Sequence, residues 1–586
     1  MTSPGPALPD TGRLGLLGAA SVAIALAAAD TYVVVLALTD MMAGVGIGID
    51  ALQRATPIVS GFLLGYVAVL PLVGRLSDLL DRRRVLLGCL VVFVVGSAVT
   101  ALAVDLPVLV AGRVLQGLGG GGLVPATLAL VADLWPPGRR GTPLGVVGAV
   151  QELGSVVGPV VGAGILAVSG WRTIFWANAV AGVVLYAVIR GLGARAGKRG
   201  GVRRPGGIRA ALVTARVLAV AGLALGGLAL AAPPRLVTDV VLGAPFVPIS
   251  GDSRVLTPLG VVAAALLVAA ATMAAPRWWP VLRRADVVGA TLVTGALGCL
   301  VVSFASADPE RELVGALGRV LLPVAGVCAG LYWWWHRHAD RPLVPRGVVG
   351  GRGARAVLVS LLVGVALVAV VVDVPLLARL AGSHDETGAA LVLVRFLVAV
   401  PVGAVAGGVA LRRLGAGAVA GPGLLLAAAG LVVMSGWSLR SVQEPLPTTV
   451  VLAAVGLGMG LALAPVNDAV LADSPADAHG VASSLVVAAR MVGMVVGLAL
   501  LTAVGLRRYF DAARALPDPL DTNALLATGV VQIQTVFLGG AVAAALGAAV
   551  AATLGIGLRR QRPDRAPRPT ALTAAEAPAS RPGRRP

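Results

Sequence analysis

Residues Gly74 to Arg84 read GRLSDLLDRRR, with Asp78 and Asp81 set among Arg75, Arg82, Arg83 and Arg84. An apolar run lies on either side, at about 57–76 before it and 84–104 after it. Each run is close to the roughly 20 residues that a helix needs to cross the hydrocarbon core of a bilayer. The segment therefore reads as a short loop between two membrane helices, and its surplus of Arg marks the cytoplasmic side. An ordinary positive loop would satisfy that pattern as well.

Composition extends the reading to the whole chain. Of 586 residues 57% are hydrophobic and only 13% charged, and the mean hydropathy is +0.91. No water-soluble globule has that balance, so the chain is a polytopic membrane protein. Aromatic residues make up 4%, and 78 residues are Gly. The apolar mass is thus Ala, Val, Leu and Gly, which suits helices packed closely through small residues. The short alternating segments of a membrane β-barrel are missing. Cys89, Cys299 and Cys328 fall inside apolar runs at no metal or disulfide spacing, so packing is their expected role.

Six spans precede residue 191, at about 14–38, 57–76, 84–104, 107–131, 143–168 and 172–190. Six more follow at about 355–378, 388–411, 416–436, 448–468, 481–506 and 529–557. Four further apolar runs lie between them, near 208–232, 257–275, 286–306 and 313–335. The expectation is an all-α membrane protein with about 16 transmembrane helices and both termini on one side. It divides into a six-helix bundle over 1–190, a central segment over 191–354, a second bundle over 355–557 and a disordered cytoplasmic tail over 558–586 rich in Pro, Arg and Ala. With the N-terminus inside, about two-thirds of the 47 basic residues fall in cytoplasmic segments. The net charge of +19 is then orientation signal and contact with anionic membrane lipids, not nucleic-acid binding.

Charged residues inside spans are costly and point to function. Glu152 lies about 14 Å deep in the fifth span, at 1.5 Å per residue, and Arg490 lies equally deep in the equivalent helix of the second bundle. An ion pair across a central cavity and separate solvation of each charge both fit that depth. Asp30 and Arg113 match in depth near the outer boundary, and Asp30 is the first candidate for a proton site. Desolvation favours its neutral acid and a nearby Arg favours the carboxylate, so moving the Arg would load and unload a proton. Asp373 and Arg395 are further charges, with Asp373 near enough to a helix end to be solvated.

Several of these residues fall in patterns that resemble a known family. Gly74, Asp78 and the trailing Arg82, Arg83 and Arg84 are similar to the cytoplasmic gate motif of the major facilitator superfamily, although Leu79 and Asp81 stand where that motif has Arg and Gly. Arg113, Gln116, Gly117 and Gly119 to Gly122 match the fourth-helix motif of its drug:proton antiporter branch, which has fourteen helices. Gly154, Gly158, Pro159 and Gly162 match the fifth-helix antiporter motif. The physical reading agrees, because glycines four apart give a flat stripe for close helix contact and Pro159 permits a bend. DTYVVV from Asp30, QELGSVVGP from Gln151 and HGVASSLVVAARMVGM from His479 resemble the mycobacterial triacylglyceride and lipid exporters of the superfamily. That resemblance implies two six-helix bundles working by alternating access, a proton site at Asp30 with Arg113, an ion-pair lock of Glu152 with Arg490, and an extracytoplasmic lipid-carrying lipoprotein as a partner.

The resemblance leaves 208–275 over, as an inserted hairpin ahead of linker helices at 286–335. It would serve as a lipid-facing spacer, a docking element or a regulatory addition. The segment Arg507 to Thr528 starts amphipathically, so the eleventh helix of the two bundles is expected to project beyond the membrane, or to end in an ordinary loop. Trp333, Trp334 and Trp335 beside His336 and His338 read as interfacial anchors. The four histidines form no constellation with a nucleophile or metal ligands, and the Gly-rich run at Gly117 lacks the Lys of a phosphate loop. No enzyme, cofactor or metal is expected. The sequence therefore predicts a plasma-membrane transporter that couples export of hydrophobic substrates, lipids first, to protons. Multidrug:proton antiport is the alternative, and a non-transporting sensor or assembly protein the third reading.

Overall fold

A computed structural model describes residues 10–47, 52–194, 206–238, 243–250, 253–305, 317–346, 348, 350–382, 386–517 and 521–555. The tail beyond 555 lies outside the described residues. Among those described, all regular structure is helical. The first six helices are α1 (Asp10–Gly44), α2 (Leu52–Leu79), α3 (Arg82–Leu102), α4 (Leu106–Leu134), α5 (Gly141–Val168) and α6 (Trp171–Ala194). The central segment holds α7 (Gly206–Ala231), the one-turn α8 (Pro234–Val237), α9 (Pro258–Arg284), α10 (Val287–Ala305) and α11 (Gly318–His338). The last six are α12 (Gly351–Leu380), α13 (Glu386–Leu414), α14 (Ala416–Met434), α15 (Pro445–Asp473), α16 (His479–Arg514) and α17 (Thr522–Ala552).

All of these except α8 are long, and 15 are also apolar enough to cross a membrane. The remaining long helix, α11, ends in Trp333–Trp335, His336, Arg337 and His338, which dilute its apolar window. The loop expected at Gly74–Arg84 is mostly helix. α2 continues to Leu79, and only Leu80 and Asp81 intervene before α3. Asp81 makes so tight a junction workable by accepting the Arg84 N–H as the N-cap of α3. Asp105 caps α4 in the same way. The hairpin helix α9 likewise runs on to Arg284, past the apolar run that ends at 275.

The packing repeats. In the first set α1 packs on α5, α2 on α4, and α3 on α4 and α6; in the last set α12 packs on α16, α13 on α15, and α14 on α15 and α17. The two sets meet through reciprocal pairs, α5 with α13 and α2 with α16. α7 pairs with α9 and touches α3, while α10 pairs with α11, lies along α2 and reaches α16. The buried apolar side chains are continuous across both sets toward the end of the molecule that holds Asp78, where Leu128, Val131, Val466 and Val487 share one cluster. Toward the far end they separate into one cluster around Met41, Ile58 and Phe175 and another around Val374, Phe396 and Phe537. The two sets are thus sealed at the Asp78 end and parted at the other.

Candidate functional site

Five helices build a buried polar centre in the first set. Arg113 and Gln116 are three residues apart on α4 and so share a face. The Arg113 guanidinium donates to Oδ2 of Asp30 on α1 at 2.5 Å and to Oε1 of Gln116 at 2.8 Å. Asn178 of α6 donates to the other Asp30 oxygen at 2.6 Å, and Gln116 does so at 3.3 Å while also donating to Ser97 of α3 at 2.9 Å. The rings of Phe62 and Phe175 lie 4.6 and 5.7 Å from the Arg113 guanidinium carbon. Asp30 and Arg113 are each 1% exposed. A charge pair this dry persists only with its remaining polar atoms bonded, which is what Asn178, Gln116 and Ser97 provide. Depth alone paired Asp30 with Arg113 but missed Asn178, Ser97 and the two rings. A lone Asn in the apolar α6 was the available signal, since an amide in a span needs a partner.

Glu152 of α5 and Arg490 of α16 meet at 3.4 Å, linking the two sets. A cavity lies on each side of the pair. The one toward the Asp78 end has about 520 Å³ of empty space, its open mouth included, and is lined by Val147, Val363, Leu463, Val487 and the polar Ser360 and Asn467. The one toward the far end has about 570 Å³ of empty space, its open mouth included, with Phe62, Leu63, Tyr66, Leu367, Met491 and Met494 in its wall. Gln151 and Arg490 line both. Both walls are mainly apolar, and the ion pair is the polar layer between them.

At the sealed end Asp78 reaches across from α2 to the start of α16, accepting the N–H of Gly480 at 2.7 Å and of Val481 at 3.0 Å. Those amides lie in the first turn of α16, where free donors and the helix dipole favour an anion. Gly74 faces Gly480, and a Cβ on either would strike the carbonyl of the other, so this crossing requires both glycines. Arg82 joins Asp133 of α4 at 2.8 Å, lies 3.8 Å from Asp78 and donates to the carbonyls of Ala129 and Ala476. Arg83 and Arg84 are not brought to this crossing. Arg83 donates to the carbonyls of Ile189 and Arg190 at the end of α6, and Arg84 is exposed. Successive helical residues point about 100° apart, so adjacent arginines cannot all face one partner.

α5 is packed differently along its length. At the Asp78 end Gly141 and Gly145 lie against Gly408 and Ala404 of α13. Further along, Gly154 and Gly158 face the backbone of Ala25 and Ala29 on α1, and Gly162 faces Val33. The opposite stripe there, Leu153, Val157, Val160 and Val161, is exposed. Pro159 lies within the helix. Asp373, expected to be solvated near a helix end, is instead 3% exposed, because α12 continues to Leu380 and is packed by α13, α16 and α17. α16 runs for 36 residues, or about 54 Å at 1.5 Å per residue, well beyond a hydrocarbon core of about 30 Å.

Comparison with known proteins extends these observations. A profile described as Major Facilitator Superfamily matches residues 20–335. A triacylglyceride transporter of Mycobacteroides abscessus is 37% identical over 560 residues, covering 93% of this chain and 92% of that protein. A triacylglyceride transporter of Mycolicibacterium smegmatis is 35% identical over 518 residues, covering 86% and 78%. Among solved structures, a proton:xylose symporter of the major facilitator superfamily superposes with a TM-score of 0.53 at 14% identity, covering 92% of this chain and 95% of its own. The human organic anion transporter does so with 0.52 at 16%, covering 92% and 99%.

Proposed function

This chain belongs to the major facilitator superfamily, and we propose that it is a proton-coupled secondary transporter exporting hydrophobic substrates, above all lipids such as triacylglycerides. The observation that carries the reading is the Glu152–Arg490 pair, which links the two helix sets between two mainly apolar cavities. The likeness to triacylglyceride transporters over 93% of the chain supports the substrate class. In this reading 1–190 and 355–557 are the two moving bundles and 191–354 is an insertion between them. The Asp78 end is cytoplasmic, with both termini there, and the protein sits in the plasma membrane.

Alternating access then follows from charge. In the arrangement seen here the Asp78 crossing and the Glu152–Arg490 layer close the cytoplasmic side, and the far cavity faces out. Reversing it requires Asp78 to leave the α16 amides and Glu152 to part from Arg490. Separating the latter pair exposes a carboxylate that a proton can neutralise. Asp30 is the coupling site, since its charge is tolerated only while Arg113 stays against it. The exposed outer stripe of α5 offers an apolar flank by which an acyl chain leaves sideways. The far part of α16, with Arg507, Arg508, Tyr509 and Phe510, is a surface for a lipid-carrying lipoprotein. The same cavities would admit apolar drugs, so multidrug antiport is the second reading.

The test is the surface and secreted lipid of a deletion strain, complemented with wild type or with Glu152→Gln at matched membrane levels, with dye efflux recorded alongside. Lipid restored by wild type alone, and abolished by a protonophore, is the expected result. Unchanged lipid with Glu152-dependent dye efflux would move the assignment to multidrug antiport.

A further inference from the structure

Asp373 is a buried carboxylate that the proposed mechanism leaves unused. It lies on α12 with Val370, Val374 and Leu377 beside it in the apolar cluster of the last six helices. Among the described residues no hydrogen bond or ion pair reaches it. The charged groups of its surroundings are committed elsewhere or distant along the helices. Arg395 of α13 donates to the Pro445 carbonyl, and Arg490 of α16 pairs with Glu152. Asp468 and Asp473 of α15 lie at the Asp78 end, Arg507 and Arg508 lie on the far projection of α16, and α17 holds no charged residue. Arg379, on α12 itself, is six residues further along.

Asp373 is not the repeat counterpart of Asp30. The glycines of α5 and α16 give the register. Gly154 and Gly158 face Ala25 and Ala29 on α1, while Gly493 and Gly497 face Leu361 and Val365 on α12. Asp30, one residue after Ala29, therefore corresponds to Ala366. Asp373 stands seven residues beyond, about 10 Å further toward the far end. The second set has thus no copy of the Asp30 centre but an acid of its own at another depth.

An ionised carboxylate buried in apolar packing without a counter-charge is costly, whereas the neutral acid differs little from an Asn. We propose that Asp373 is a second proton-binding site, one that holds a neutral carboxylic acid in the arrangement seen here and exchanges that proton during the transport cycle. The inference rests on the proton-coupled reading and adds that both bundles carry protons. The step is a plain exchange, in which the carboxyl O–H bond breaks as the proton passes to water and re-forms from the other side.

The test uses infrared spectroscopy of the purified full-length protein in lipid bilayers, titrated through neutral pH, on wild type, Asp373→Asn and Asp373→Glu. A carbonyl band of a protonated carboxylic acid should be present at neutral pH, vanish in Asp373→Asn and return, shifted, in Asp373→Glu. If wild type and Asp373→Asn show the same acid bands, Asp373 is ionised and the proposal fails. Proton movement per transported triacylglyceride in vesicles supplies the second arm, and it should fall in Asp373→Asn. An unchanged ratio would overturn the exchange step. A wild type that moves lipid without protons would sink the coupled reading itself, and the band would still decide whether Asp373 binds a proton.

Discussion

Asp30 and Asp373 are both buried carboxylates on the first helix of a six-helix set, yet one accepts hydrogen bonds from Arg113, Gln116 and Asn178 and the other from no described residue. Burial alone therefore does not fix what an acid meets in this protein. What fixes it is whether neighbouring helices deliver donors. At Asp30 five helices converge, and Arg113, Gln116 and Asn178 donate to its two oxygens. At Asp373 no described residue brings a donor, and Val370, Val374 and Leu377 lie beside it on α12.

The contrast breaks most sharply at Asp30→Asn. That change leaves Arg113 charged and dry, since Arg does not release its proton in proteins. A loss of about 3–5 kcal/mol is expected, read as a fall in thermal stability of the purified protein in detergent. Arg113→Leu should cost less, about 1.5–3 kcal/mol, because Asp30 keeps the hydrogen bonds from Asn178 and Gln116. The same thermal measurement ranks the two, and equal losses would mean that Asn178 and Gln116 do not hold Asp30 once Arg113 is gone.

Asp78→Ala tests the crossing between the sets rather than the interior of one. Removing the acceptor of the Gly480 and Val481 amides should weaken the sealed end by about 1–2 kcal/mol. In a background without Cys89, Cys299 and Cys328, a cysteine placed at Val487 should then be labelled roughly five- to thirtyfold faster, since about 1.4 kcal/mol is a factor of ten in population. Asp373→Asn should have the smallest effect, within about 0.5 kcal/mol of wild type. A large loss there would show that the carboxylate is charged and held after all, and the contrast with Asp30 would disappear.

The membrane class and nearly all the helices were legible in the chain, because the hydrocarbon core imposes a length and a polarity that any spanning segment must meet. α11 is among them, since the run expected at 313–335 is found as the helix Gly318–His338, aromatic and basic at its end. Matched depth made couples of Asp30 with Arg113 and of Glu152 with Arg490 candidates, as a bilayer turns sequence distance into height, but it left separate solvation of Glu152 and Arg490 equally open. Depth says nothing about direction around the helix. Asn178 is 148 residues from Asp30 and Ser97 is on a different helix again, so no local pattern could assign them to one centre. Arg83 and Arg84 show the same blindness, because a row of arginines in sequence fans out around a helix in space.

Asp373 was misjudged for a related reason. Its apolar run stops near 378, which places it close to the water, whereas α12 continues to Leu380 with other helices packed along it. The sequence by itself determined that this chain spans a membrane many times over, where its charges lie in depth, and which of its helices carry small-residue stripes. Only the tertiary structure decided which charges meet, which stay alone, and that the molecule is sealed at the Asp78 end and parted at the other. The physical reason is that spanning is a property of each segment against the lipid, whereas pairing and access depend on how helices distant in sequence turn their faces toward one another.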